Sequence, residues 1–139
     1  MNNTGLLKVL LVEPSSLLRR TVALTVSSLG TAEVTEAAAY ATAQRLCEGQ
    51  RFDGAVVALD WPPASGVCRG LSLIQQIRSG GCASDPSIPI TALVESCSAE
   101  LLQVLRESGI SRILIKPFRV RDVIDTIDGM RGPPLGATR

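Results

Sequence analysis

Short aliphatic runs alternate with longer segments of helical period along nearly the whole chain, and this alternation limits the folds available to it. Leu7–Val12 is apolar almost throughout and reads as a buried first strand. Ser15 and Ser16 then offer capping hydroxyls, and Leu18, Val22, Val26 and Leu29 recur at helical spacing before Gly30 stops the helix. The pattern repeats. Ala32–Thr35 is a second strand, and Ala37–Glu48 reads as a helix. Ala55–Leu59 is a third strand, followed by a helix with Leu71, Ile74 and Ile77 on one face. Ile88–Val94 is a fourth strand, followed by a helix over Ala99–Ser108. Arg112–Ile115 is a fifth, and Val120, Val123, Ile124 and Ile127 mark the last helix.

Five such units in series predict an α/β fold: one doubly wound, five-stranded parallel sheet in the order 2-1-3-4-5, a flavodoxin-like (βα)5 arrangement. Composition agrees with strands buried on both faces. Hydrophobic residues make up 45% of the 139 residues and aromatics only 3%, so Leu, Val, Ile and Ala must fill the interior. Residues 1–130 are expected to form one domain. Residues 131–139, which include Gly132-Pro133-Pro134, are expected to be a flexible tail or the start of a linker.

Charge excludes several function classes. The formal net charge is +1, which gives no basic field for nucleic acid or an anionic membrane. No apolar run reaches transmembrane length, and Leu6–Val12 meets Glu13 with no basic stretch before it, so it reads as a strand and not a signal peptide. A cytoplasmic protein with four reduced thiols is expected from Cys47, Cys68, Cys82 and Cys97, which contain no C-x-x-C pair. Cys68 and Cys82 both fall in loops, which leaves a bridge between them conceivable. The chain has no His. That removes His-based catalytic sets and any His–Asp phosphotransfer within the chain, and no enzymatic activity is expected.

In a doubly wound sheet, function collects at the carboxyl ends of the strands. Here those ends carry Glu13-Pro14, Ala58 to Asp60, Val94 to Ser96, and Lys116-Pro117. Four pieces, in order and at workable spacing, carry a family resemblance: Val-Glu-Pro-Ser-Ser-Leu-Leu-Arg-Arg (12–20), Phe-Asp-Gly-Ala-Val-Val-Ala-Leu-Asp-Trp-Pro (52–62), Pro-Ile-Thr-Ala-Leu-Val (89–94) and Gly-Ile-Ser-Arg-Ile-Leu-Ile-Lys-Pro-Phe (109–118). Over residues 6–130 the chain resembles the receiver domains of two-component response regulators. That family holds Mg²⁺ on two acids after the first strand and phosphorylates an Asp at the end of the third. It binds the phosphoryl oxygens with a Ser or Thr after the fourth strand and a Lys after the fifth, where an aromatic usually reports the switch.

Set against the family pattern, Glu13 takes the first acid position and Pro14 the second. Ala58, six residues after Phe52 and four before Pro62, takes the acceptor position. Val94 replaces the hydroxyl residue, Ile113 the aromatic, and only Lys116 is retained. A methyl group carries no phosphoryl, and Pro14 offers Mg²⁺ no oxygen. The resemblance therefore implies a degenerate receiver in a two-component or phosphorelay pathway that has lost Mg²⁺ binding and needs no cofactor. Glu13 and Asp60 are the only weak metal candidates. Asp60 lies two residues beyond the acceptor position in a lengthened loop, whose family glycine is either Gly66 or Gly70. It either bonds nearby backbone or enters the pocket as a relocated acceptor. Lys116 is expected to pair with Glu13 or Asp60. Partner binding is expected on the face of the fourth helix, fifth strand and fifth helix, with Arg106, Arg112, Ile113, Arg119 and Arg121. The partner would be a sensor kinase, an output domain or a second copy. A sensor of small anionic nucleotides on the same rim is the remaining alternative.

Overall fold

The computed structural model describes residues 6–63 and 66–130; the tail expected at 131–139 lies outside the described residues. The elements run β1 (Leu7–Val12), α1 (Ser16–Leu29), β2 (Ala32–Ala37), α2 (Tyr40–Gly49), β3 (Gly54–Ala58), α3 (Arg69–Arg78), β4 (Ile90–Val94), α4 (Ala99–Glu107), β5 (Arg112–Ile115) and α5 (Val120–Met130). The five strands form one parallel sheet in the order β2-β1-β3-β4-β5, as the alternating pattern predicts.

The pleat divides the core in two. Val9 and Leu11 face one side with Val56 and Leu93, where Val22 and Val26 of α1 and Val123 and Ile127 of α5 pack on them. Leu10 and Val12 face the other side with Ala55, Val57, Ile90 and Ala92, beneath Ala43 and Cys47 of α2, Ile74 and Ile77 of α3, and Leu101 and Leu105 of α4. Successive strand side chains point to opposite faces, so a run apolar at every position marks a strand covered on both.

Element ends depart from the sequence reading at three strands. β2 continues through Ala37, which pairs with Val12, so α2 begins at Tyr40 and not at Ala37. The alanines of 37–39 have high helix propensity, but the ladder to β1 outweighs it. β3 spans Gly54–Ala58, although Leu59 N still donates to Leu93 O at 2.9 Å. β4 starts at Ile90, after Pro89, which has no N–H for the ladder.

Capping brings the helices to the sheet's carboxyl rim. Ser15 Oγ accepts from Leu18 N at 3.4 Å to start α1, and Ser98 Oγ accepts from Leu101 N at 3.1 Å to start α4. Gly30, at φ 70°, closes α1 in the left-handed region that favours glycine.

Candidate functional site

At the carboxyl rim, Glu13, Pro14, Ser15, Tyr40, Ala58, Leu59, Asp60, Leu93, Val94, Glu95 and Lys116 surround a cleft of about 340 Å³. All six predicted pocket residues, Glu13, Pro14, Ala58, Asp60, Val94 and Lys116, are therefore brought together.

Glu13 leaves β1 in the direction of the ladder, with its N–H on Ala37 O at 3.1 Å. The residue is only 7% exposed, and its Oε2 accepts from Ser15 N at 2.8 Å. Arg19 secures the same turn, donating from Nη1 to Glu13 O at 2.9 Å and pairing through Nε with Glu36 at 3.1 Å. Pro14 is exposed and contributes no donor or acceptor from its side chain.

Ala58 is the last residue of β3 and lies opposite Leu93 of β4. Its carbonyl accepts from the Tyr40 hydroxyl at 2.5 Å, so the first residue of α2 reaches over the end of β3. Burial, then the nearby Asp60, Cys68 and Glu13, push the Tyr40 hydroxyl well above its usual range, so it stays protonated and keeps donating.

Asp60 turns toward α3. Its Oδ1 accepts from Cys68 Sγ at 3.0 Å and from Gly70 N at 3.2 Å, and its Oδ2 from Arg69 N at 3.2 Å. These N–H groups open α3 and have no partner within the helix, so Asp60 caps it from nine residues upstream. Burial raises the Asp60 carboxyl, but the three hydrogen bonds outweigh it and hold the carboxyl below its ordinary value.

Val94 ends β4 with 2% exposure, and its carbonyl accepts from Lys116 N at 2.9 Å. The Lys116 ammonium does not pair with Glu13 or Asp60, as the sequence suggested. Its Nζ lies 2.8 Å from Glu95 Oε2. Glu95 and Tyr40 were both missed. Glu95 could have been found as an acid directly following the fourth strand's rim residue. Tyr40 reaches Ala58 across 18 residues, which no local pattern reports.

The donor set does not fit Mg²⁺, which needs oxygens in near-octahedral array. One Glu13 oxygen holds Ser15 N, both Asp60 oxygens hold α3, the Ala58 carbonyl holds Tyr40, and Pro14 offers nothing. Among the described residues, no group of three or more Cys, Asp or Glu is placed to hold a metal ion.

The expected partner residues surround the edge strand β5. Arg106 of α4, Arg112 of β5, and Arg119 and Arg121 at the start of α5 are exposed. Arg121 lies 3.8 Å from Asp125. Ile113 is half-buried and packs against the core on the α2, α3 and α4 side.

A sheet in the order β2-β1-β3-β4-β5 with a cleft at its carboxyl rim defines the flavodoxin-like class to which CheY-like receivers belong. No family model matches the chain. The chemotaxis protein CheY1 of Helicobacter pylori is 32% identical over 113 residues, which cover 81% of this chain and 86% of that protein. The chemotaxis protein CheY4 of Vibrio cholerae superposes with a TM-score of 0.74 at 26% identity, covering 90% of this chain and 98% of that one. The fold is shared with the receiver domain of a Pseudomonas aeruginosa PAO1 sensor histidine kinase, whose active-site cleft coordinates magnesium. There the TM-score is 0.71 at 24% identity, with 92% and 99% of the two chains covered. The chain belongs to the CheY-like receiver domains of response regulators, the modules of two-component signalling. No helix among the described residues is long and apolar enough to cross a membrane.

Proposed function

We propose that this receiver domain signals without taking up phosphate, through a surface that binds a protein partner in one constitutive state. The observation that carries the reading is the end of β3, where the residue facing the cleft is Ala58 while the nearest acid, Asp60, is committed to the N-terminus of α3. A carboxylate nucleophile must reach the phosphorus with a free oxygen. Asp60 would have to release three hydrogen bonds and uncap a helix to do so. Val94 has no hydroxyl to bind a phosphoryl oxygen, and Lys116 pairs with Glu95 at the rim.

The balance of charge supports the same reading. Glu13, Asp60 and Glu95 set three carboxylates against Lys116 around one cleft. Without a divalent cation to offset it, that excess disfavours phosphate and anionic nucleotides alike. It also weakens the alternative of a nucleotide sensor on this rim. The presence of Asp60 in the cleft lining favours one second reading, a relocated acceptor at Asp60.

The expected partner is a sensor kinase, an output domain or another copy of the chain, met on the arginine-bearing surface around β5. Binding to that partner should be equal with and without acetyl phosphate and Mg²⁺, and equal for wild type and Lys116→Ala. Binding that requires the phosphodonor would overturn the proposal.

A further inference from the structure

The four cysteines take no part in the site as proposed, apart from the Cys68 hydrogen bond to Asp60, yet two of them meet. Cys47 lies in the last turn of α2 and is 1% exposed. Cys82 lies between α3 and β4, half-buried, and packs on the core cluster that contains Cys47. The two cysteines meet where the end of α2 adjoins the segment that follows α3. Two links hold this junction. Ala83 N donates to Cys47 O at 2.9 Å. Gln76 Nε2 donates to Gly81 O at 3.2 Å and to Glu48 Oε2 at 3.4 Å, bridging the residues that flank the two cysteines.

This junction fixes the backbone on both sides before any bond forms, which a disulfide requires, since its geometry tolerates little backbone movement. It also replaces the Cys68–Cys82 pairing that loop placement suggested. The Cys68 thiol is engaged 3.0 Å from Asp60 Oδ1.

We propose that Cys47 and Cys82 are a redox modification site, closing to a reversible intramolecular disulfide when the protein meets a hydroperoxide. Cys82 is the more accessible sulfur and reacts first. Its thiolate attacks one peroxide oxygen, the O–O bond breaks, and the other oxygen leaves as water or alcohol after taking a proton. Cys47, deprotonated as it reacts, then attacks the Cys82 sulfenic sulfur. The S–S bond forms, the S–O bond breaks, and water leaves. Two thiols are oxidised by two electrons, and one hydroperoxide is reduced.

Burial, then the neighbouring Cys82 and Glu48, push the Cys47 thiol up to about 12, and burial raises Cys82 as well. The pair therefore rests reduced and closes slowly, as oxidant accumulates. Closure clamps the far end of α2, the helix whose first residue, Tyr40, bonds the Ala58 carbonyl at the rim.

The test is to treat the full chain with hydrogen peroxide, alkylate the remaining thiols, and read intact mass and cross-linked peptides. The expected product is a monomer with two alkylated thiols instead of four. It should yield a Cys47–Cys82 peptide, revert with dithiothreitol and melt at a higher temperature than the reduced form. Cys82→Ser, at a half-buried position, should retain three alkylated thiols after the same treatment. The double variant Cys68→Ser/Cys97→Ser should still close the bridge. Four alkylated thiols in folded protein would overturn the proposal. So would a bridge mapped to Cys68 or Cys97, or a sulfinic Cys82 with no bridge.

Discussion

Asp60 holds Cys68 Sγ, Arg69 N and Gly70 N, and so exchanges the availability of its carboxylate for the start of α3. Removing a side-chain cap costs about 0.5–2 kcal/mol. Asp60→Ala should lower the urea midpoint accordingly, with the slope of the transition unchanged. Burial alone would raise this carboxyl, but its hydrogen bonds bring it below its ordinary value of 3.8. A carboxyl depressed by folding contributes stability that is fully present above its unfolded pKa and is lost as pH falls through its folded one. Stability measured from about pH 5 downward should therefore fall less steeply in Asp60→Asn than in wild type. Lys116 contrasts with Asp60. Its pair with Glu95 leaves the two side chains 50% and 68% exposed. Exposed pairs contribute roughly 0–1 kcal/mol, so Lys116→Ala should shift the same urea midpoint by no more than that. The sequence showed which residues share the rim, because each ends or follows a strand. It did not show the partners of Asp60 and Lys116, since α3 and Glu95 come to them only through packing.

Among the elements, α3 is seated closely on the rim. A Cβ built on Gly70 would lie 2.6 Å from Leu59 Cδ2 and 3.1 Å from Ala58 O, so the first turn of α3 rests directly on the end of β3. Gly66 is a different case, with φ 85° and open space around it. The sequence left the loop glycine as either of the two; close approach requires Gly70, and turn geometry requires Gly66. Overpacking costs typically 1–3 kcal/mol. Gly70→Ala should destabilise the domain by about that amount in chemical denaturation, at a position where Ala would ordinarily favour a helix. The start of α2 also differs from the sequence reading through packing. Ala37 has helix propensity, but pairing with Val12 keeps it in β2.

For the whole molecule, the alternation of aliphatic runs with helical periods was enough to give the strand order. Both faces of β1, β3 and β4 are covered, and a strand so buried leaves an unbroken apolar signature. The rim obeys no such rule, because the scaffold holds its shape whatever the residues at the strand ends can do chemically. The proposed function draws on that separation: the CheY-like scaffold is retained, and the rim is proposed to accept no phosphate. The direct measurement is intact mass after the full chain is incubated with acetyl phosphate and Mg²⁺, beside Asp60→Asn. An unchanged mass in both proteins is the predicted result. A gain of one phosphoryl group in the wild type that disappears in Asp60→Asn would contradict it and make Asp60 the acceptor.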